Sequence, residues 1–429
     1  INKTGNRVAI EAHSNHTFRM ALEKLGYDTN TVYSIASDLK RSFPALLRKI
    51  TTIPYLKVPR WSEIDNISVL IPALLVGAWE ENCSGDKEVL KSLSGLEYDE
   101  YIRLLHPFIA CNDTPLVVID GSYMCISISE MWNVLWKQLS PDMFQRFKSC
   151  VLSVFDVVDP TYELPEKQWY MAGVLGKKSD YSAQLLRGLI ISLIMIIERD
   201  DSTGNSLGIS SITAECEVLV SQVFNQVKTW QDWYTIAPYI PVFVEATPNA
   251  VLSIMEKEAD MPDSEFWKMF NNPEDVLLGR TFYTHLLWAL EKLVWLSRYA
   301  SRAVKLLMCF ADKGYEYKLS NTPINTLTDI FCLWYPQGIF TLEERNLLLE
   351  KILKEHPESA RSLIKALLPQ GRQTTSGISK FSWRNVDISE TRVSTNEYRD
   401  ACMFLAEKFL DNIRPSFSDW DIIFSRFNA

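Results

Sequence analysis

The stretch FYTHLLWALEKLVWLSRYASRAVKLLMCF, residues 282–310, decides the fold class of this chain. Apolar residues recur in it at intervals of three and four, which is the period of an α-helix with one buried face. These residues are Leu286, Leu287, Leu290, Leu293, Val294, Val304, Leu307 and Met308. Trp288 and Trp295 are seven residues apart and therefore share a helical face. The stretch predicts helices that pack into a core.

The same period returns elsewhere, from Val218 to Val227, from Leu342 to Leu353 and from Ser359 to Leu368. Ser211 has the character of an N-cap before the first of these runs. Most of the 19 prolines fall between periodic segments, where they separate helices. The predicted fold is therefore all-α, a TPR-like or α-solenoid array of helical hairpins, although no repeat of fixed length is present.

Strand signals are confined to short segments. Residues 115–119 and 123–126 are apolar and flank Asp120-Gly121, which predicts one short β-hairpin. The segment from Gly371 to Asn396 is polar and weakly periodic. It is interpreted as a loop, or as a second hairpin around residues 381–384.

The composition changes near residues 54–59 and predicts a domain boundary there. Residues 1–58 contain a small basic helical unit, and residues 59–429 contain the long Trp-rich array. The chain begins at Ile1 and opens within a helical pattern. We expect it to be a piece of a longer polypeptide.

Charge and composition restrict the partners. The net charge of −9 and the scattered basic residues disfavour nucleic acid, because phosphate binding needs a concentrated basic face. The most apolar run, Gly188 to Ile197, is half the length of a membrane span and predicts a buried helix. The eight cysteines include no C-x-x-C pair, which favours buried thiols in a reducing, cytoplasmic protein.

No motif for catalysis is present in the sequence. The segment Gly173–Ser179 has the wrong glycine spacing for a phosphate-binding loop. His106, His285 and His356 are isolated. Glu11, His13 and His16 would need a further ligand to hold a metal, and a polar N-terminal segment is the favoured explanation for them. Glu291 lies in an apolar helix and is expected to be a buried acid that forms a hydrogen bond to a neighbouring helix end. These observations predict no catalytic residue, metal site or cofactor in the chain.

Short phrases from about Thr17 to Asp411 resemble, in order, the C-terminal part of the antiviral STAND NTPases, which are bacterial anti-phage proteins. The phrases specify helix packing and are the following: residues 41–48 (RSFPALLR), 59–61 (PRW), 74–79 (LLVGAW), 112–116 (NDTPL), 131–132 (MW), 182–189 (SAQLLRGL), 237–241 (APYIP), 288–291 (WALE), 321–323 (NTP) and 331–334 (FCLW).

The resemblance implies a sensor. In that family a central NTPase module, which binds ATP and Mg²⁺, separates an effector from a C-terminal helical-repeat domain. The repeat domain binds a phage structural protein, the large terminase subunit or the portal, and the full-length parent then oligomerises. By resemblance, residues 1–58 correspond to the last helical part of the NTPase module and residues 59–429 to the sensor.

The same resemblance makes two arginines candidate site residues. Arg41 and Arg48 are seven residues apart and lie in the lid-like segment. The resemblance makes them candidates for a nucleotide contact in the parent. A solvated basic face, or an ion pair to the body of the NTPase, explains them as well.

Two other functions stay open from the sequence. One is a generic helical scaffold that binds an endogenous protein. The other is an enzyme with a site assembled from scattered residues, which would need a deep pocket with converging His and acidic groups.

Overall fold

The computed structural model describes residues 15–27, 29–40, 42–203, 207–271, 280–369, 374–375, 377–386, 388 and 393–426. The chain divides into two compact units. Unit 1 is Ile1–Phe147 with Tyr181–Gly188, and unit 2 is Lys148–Asp180 with Leu189–Ala429. Residues 1–58 and 59–147 belong to the same unit. The assignment of 1–58 and 59–429 to separate domains stays a prediction.

Unit 1 contains helices and all the strands of the described residues. Its elements begin with α1 (Asn15–Lys24), α2 (Thr29–Leu39), α3 (Phe43–Ile50), α4 (Leu70–Val76), β1 (Ala78–Glu80), α5 (Ser84–Ser94) and α6 (Tyr98–Ile109). They continue with β2 (Leu116–Ile119), β3 (Ser122–Cys125) and α7 (Ile128–Leu135). Short 3₁₀ turns occur at Pro54–Lys57, Arg60–Glu63, Ile67–Val69 and Trp136–Gln138.

The predicted hairpin is confirmed and belongs to a three-stranded antiparallel sheet with the order β1-β3-β2. Asp120 and Gly121 have φ of 50° and 80°, so both turn residues are left-handed, as a two-residue hairpin turn requires. The third strand, β1, was not predicted from the sequence. It has only three residues, and it places Trp79 opposite Tyr123 with the rings stacked at 4.7 Å.

Unit 2 contains helices, 3₁₀ turns and irregular segments in its described residues. Helices α8 (Pro141–Phe155) and α9 (Ala183–Thr203) each have residues in both units, because unit 1 ends at Phe147 within α8 and at Gly188 within α9. The later helices are α10 (Ile212–Gln226), α11 (Trp230–Ile236), α12 (Ile240–Ala246), α13 (Pro248–Asp260), α14 (Tyr283–Leu293), α15 (Ser297–Asp312), α16 (Pro323–Ile330), α17 (Leu342–Glu355), α18 (Pro357–Leu367), α19 (Thr395–Asp411) and α20 (Phe417–Arg426). The 3₁₀ turns are Pro160–Glu163, Glu166–Met171, Ala237–Tyr239 and Glu265–Phe270.

The helix signals of the sequence are confirmed. Ser211 caps α10, since its side chain accepts a hydrogen bond from the amide of Ala214 at 3.2 Å. Proline lies in the first turn of α12, α13, α16 and α18, where its missing N–H costs nothing. The stretch 282–310 forms α14 and α15, which Leu296 separates in an extended conformation.

The chain is mainly helical, with one small sheet. The arrangement of the helices as a repeat array stays a prediction. The run Gly188–Ile197 is buried within α9, as expected. None of the helices in the described part of the chain meets the requirements of a bilayer span. All eight cysteines are free, and five of them are buried.

Gly188 lies where α9 approaches the end of α4 most closely. A methyl group on Gly188 would overlap the carbonyl oxygen of Val76. We therefore expect Gly188→Ala to lower the free energy of unfolding by about 1–3 kcal/mol, because the two backbones must separate. Chemical denaturation measures this change. Gly173 has open space around its Cα, so Gly173→Ala is the control, and equal losses in both variants would contradict the close approach.

Candidate protein-recognition surface

Arg48 is the predicted site residue that the structure describes, and it lies on the inner face of α3. Its Nε and Nη2 donate to the two carboxylate oxygens of Glu130 at 2.6 and 2.7 Å. Its Nη1 donates to both oxygens of Asp113 at 2.7 Å. Burial alone would lower the pKa of Arg48, but the hydrogen bonds to Glu130 and Asp113 outweigh it and raise that pKa.

This cluster ties three distant segments of unit 1 together. Asp113 also accepts a hydrogen bond from the amide of Arg60 at 2.9 Å, and Arg48 is 8% exposed. Arg48 thus forms ion pairs within this chain. Arg41 lies outside the described residues. A nucleotide contact of Arg41 or Arg48 in the parent stays a prediction.

Two features of the described residues bear on metal and thiol chemistry. No group of three or more His, Cys, Asp or Glu side chains there is placed to hold a metal ion. Glu11 and His13 lie outside the described residues. Burial raises the pKa of Cys125 and of Cys216 to about 12, so both thiols stay protonated at neutral pH.

Unit 2 contains a buried carboxylate that sequence reasoning missed. Glu245 lies in the last turn of the apolar helix α12 and is 1% exposed. Its Oε1 is 2.5 Å from Nζ of Lys292, which also donates to the carbonyl of Pro241. Its Oε2 accepts three successive amide hydrogens, from Ser382 at 3.1 Å, Trp383 at 2.7 Å and Arg384 at 3.2 Å. Converging amides of this kind form an anion-binding nest around the carboxylate.

Glu291, predicted to be a buried hydrogen-bonded acid, is confirmed as one, at 6% exposure. Its Oε2 accepts from the amide of Ser379 at 2.9 Å and from the hydroxyl of Ser379 at 2.7 Å. Its Oε1 accepts from the hydroxyl of Thr326 in α16 at 3.3 Å. The carboxylate therefore joins α14 to α16 and to the segment that precedes α19.

The residues that these two acids hold form one segment, which we call the strap and define as Thr375 and residues 377–384. The strap contains neither helix nor strand, so the loop interpretation of this part of 371–396 is confirmed over its described residues. Thr375 donates to Asp329 of α16 at 2.7 Å. The indole Nε1 of Trp295, which follows α14, donates to the carbonyl of Ser379 at 3.1 Å.

The strap crosses helices in reverse chain order. From its first residue to its last it contacts Asp329 of α16, Glu291 of α14, Glu245 of α12 and, through Arg384 Nε at 3.9 Å, Glu198 of α9. Each helix presents one acidic side chain to it. We call these four acids and Trp295 the acidic row. The acidic row of unit 2 holds a non-helical stretch of polypeptide.

Tryptophans divide between core and surface. Trp61, Trp79, Trp132 and Trp233 are fully buried. Trp288, Trp334 and Trp420 are exposed, at 39%, 42% and 50%. Exposed tryptophan is typical of protein interfaces, where its large area anchors binding.

Comparison with known proteins gives no relative for this chain. No protein-family model, curated protein or solved structure matches the chain.

Proposed function

We propose that this chain is the ligand-recognition domain of an antiviral STAND NTPase. Its ligand is a conserved phage structural protein, the large terminase subunit or the portal. The ordered phrases between Arg41 and Trp334 support this assignment. Residues 59–429 are then a helical-repeat sensor, and residues 1–58 are the last helical part of the NTPase module.

One structural observation supports protein recognition over catalysis. In unit 2, the helices α9, α12, α14 and α16 each contribute one acidic side chain to contacts with a single stretch of polypeptide, the strap. Helical-repeat proteins use an extended concave surface of stacked helices to bind proteins. Contacts from several helices to one stretch of polypeptide are the kind of contact that the proposed recognition of a protein requires.

The activation step follows from linkage. A ligand that binds one state of the parent more tightly shifts the population toward that state by its differential affinity. Recognition by this domain in the cytoplasm then drives oligomerisation of the ATP- and Mg²⁺-binding parent. The chain itself contributes binding free energy and no chemistry.

Co-purification tests the proposal and separates it from a generic scaffold. The chain is co-expressed with the terminase large subunit, with the portal and with the major capsid protein as control. We expect a stoichiometric complex with the terminase subunit or with the portal. A folded chain that leaves both behind and retains a host protein would instead be a scaffold for an endogenous partner.

A further inference from the structure

Both the main chain and the side chains of the strap hold it, and the Thr375 and Ser379 hydroxyls donate to Asp329 and Glu291. Amides of Ser379, Ser382, Trp383 and Arg384 donate to the acidic row, and the carbonyl of Ser379 accepts from Trp295. Ile378 is the one buried apolar side chain among the described residues 374–386. The main-chain contacts to Glu245 and Glu291 are available to any polypeptide, so these two acids do not require the sequence of the strap itself.

Charge complements the contacts. Between Gly371 and Val386 the sequence contains Arg372, Lys380 and Arg384 and no acidic residue, in a chain whose net charge is −9. Arg384 reaches Glu198 and the carbonyl of Glu245, and Lys380 lies over the ring of Trp295 at 5.5 Å. A basic segment therefore lies on an acidic surface, with a cation–π contact at its middle.

The buried carboxylates require a donor. A carboxylate taken out of water is strongly destabilised unless hydrogen bonds and an opposite charge compensate it. Lys292 supplies the charge for Glu245, and the strap amides supply the hydrogen bonds. If the strap dissociates from Glu245 and Glu291, water or the N–H groups of another chain must donate hydrogen bonds to these carboxylates in its place.

We propose that the acidic row is a binding groove for a non-helical basic segment of a partner protein, and that the strap fills this groove in the free chain as an internal ligand. The incoming segment donates main-chain amides to Glu245 and Glu291 and places a cation near Glu198. The proposal rests on the proposed function only for the identity of the protein that carries the segment.

A peptide binding experiment tests the groove without any phage protein. In one variant of the full chain, residues 374–386 are replaced by a Gly-Ser linker of equal length. A fluorescent peptide of residues 374–386 is then titrated into it. We expect saturable one-to-one binding, at least tenfold weaker for the peptide with Lys380→Glu and Arg384→Glu. The proposal is overturned if the folded variant binds neither peptide or binds both equally.

A second measurement on the intact chain covers the case in which the variant does not fold. Hydrogen exchange of the Ser382, Trp383 and Arg384 amides is followed with and without excess peptide. Displacement predicts at least tenfold faster exchange of these amides, with unchanged exchange in α15. Unchanged exchange of the strap amides at saturating peptide would make the strap a fixed part of the fold. Neither readout depends on the co-purification result, so failure of the groove and failure of the proposed function are distinguishable.

Discussion

Arg48→Ala is expected to lower the free energy of unfolding of unit 1 by about 3–5 kcal/mol, the usual cost of removing one partner from a buried ion cluster. The change leaves Asp113 and Glu130 without the guanidinium that pairs with both of them. It also removes four hydrogen bonds that join α3 to the segments around residues 113 and 130. Chemical denaturation with a probe in unit 1 measures the loss.

Lys49→Ala is the matched control, because Lys49 is adjacent in sequence. The Lys49 side chain is 44% exposed and its amine lies 4.0 Å from Asp38, so the loss is expected to be under about 1 kcal/mol. Arg48→Lys is expected to fall between the two, since an ammonium cannot bind two carboxylates in a bidentate manner. Equal stability of Arg48→Ala and Lys49→Ala would show that the ion cluster around Arg48 does not stabilise unit 1.

Glu245→Ala is expected to cost unit 2 a similar amount, about 3–5 kcal/mol. Lys292 is then left as a buried ammonium with the carbonyl of Pro241 as its remaining acceptor, and three strap amides lose their partner. We also expect proteases to cleave the strap at least tenfold faster. Thermal denaturation and limited proteolysis measure the two effects.

Two variants separate the role of the charge from the role of the hydrogen bonds. Glu245→Gln keeps an oxygen for the strap amides but loses the charge that pairs with Lys292, so an intermediate loss is expected. Glu343 lies on the exposed face of α17, and Glu343→Ala is the control, with little change expected. A Glu245→Ala variant as stable and as resistant as the control would show that the strap does not depend on the carboxylate.

Periodicity and turn chemistry predicted the local structure well because both act over few residues. Helices α10, α14, α15, α17 and α18 follow the apolar spacing, and the Asp120-Gly121 turn fixed the β2-β3 hairpin. Strand β1 escaped prediction because three residues with a single buried side chain carry no periodic signal. The sequence of α14 likewise does not indicate which other segments its side chains contact.

The ion clusters escaped prediction because their partners are distant in sequence. Arg48 is 82 residues from Glu130 and 65 from Asp113, and no local pattern encodes such pairs. A signal was nevertheless present. Asp113 lies in the phrase 112–116, and Glu130 directly precedes 131–132. Phrases that look independent in the sequence converge on one cluster in unit 1.

Glu245 carried the same signal as Glu291, a lone acid in an apolar helix. The signal was interpreted for Glu291 and missed for Glu245. In both cases the sequence indicated burial but not the partner, since Ser379 lies 88 residues beyond Glu291 and Ser382 lies 137 residues beyond Glu245. Burial is encoded locally by neighbouring apolar residues, whereas the partner depends on the path of the whole chain.

Binding of purified components is the most direct test of the proposal that this chain recognises a phage structural protein. The full chain is titrated with purified terminase large subunit, with portal and with capsid protein, and complexes are followed by sedimentation. We expect a saturable complex with the terminase subunit or the portal, with Kd below about 1 μM, and no complex with capsid protein. A folded chain that binds neither the terminase subunit nor the portal at concentrations far above that Kd would contradict the proposal.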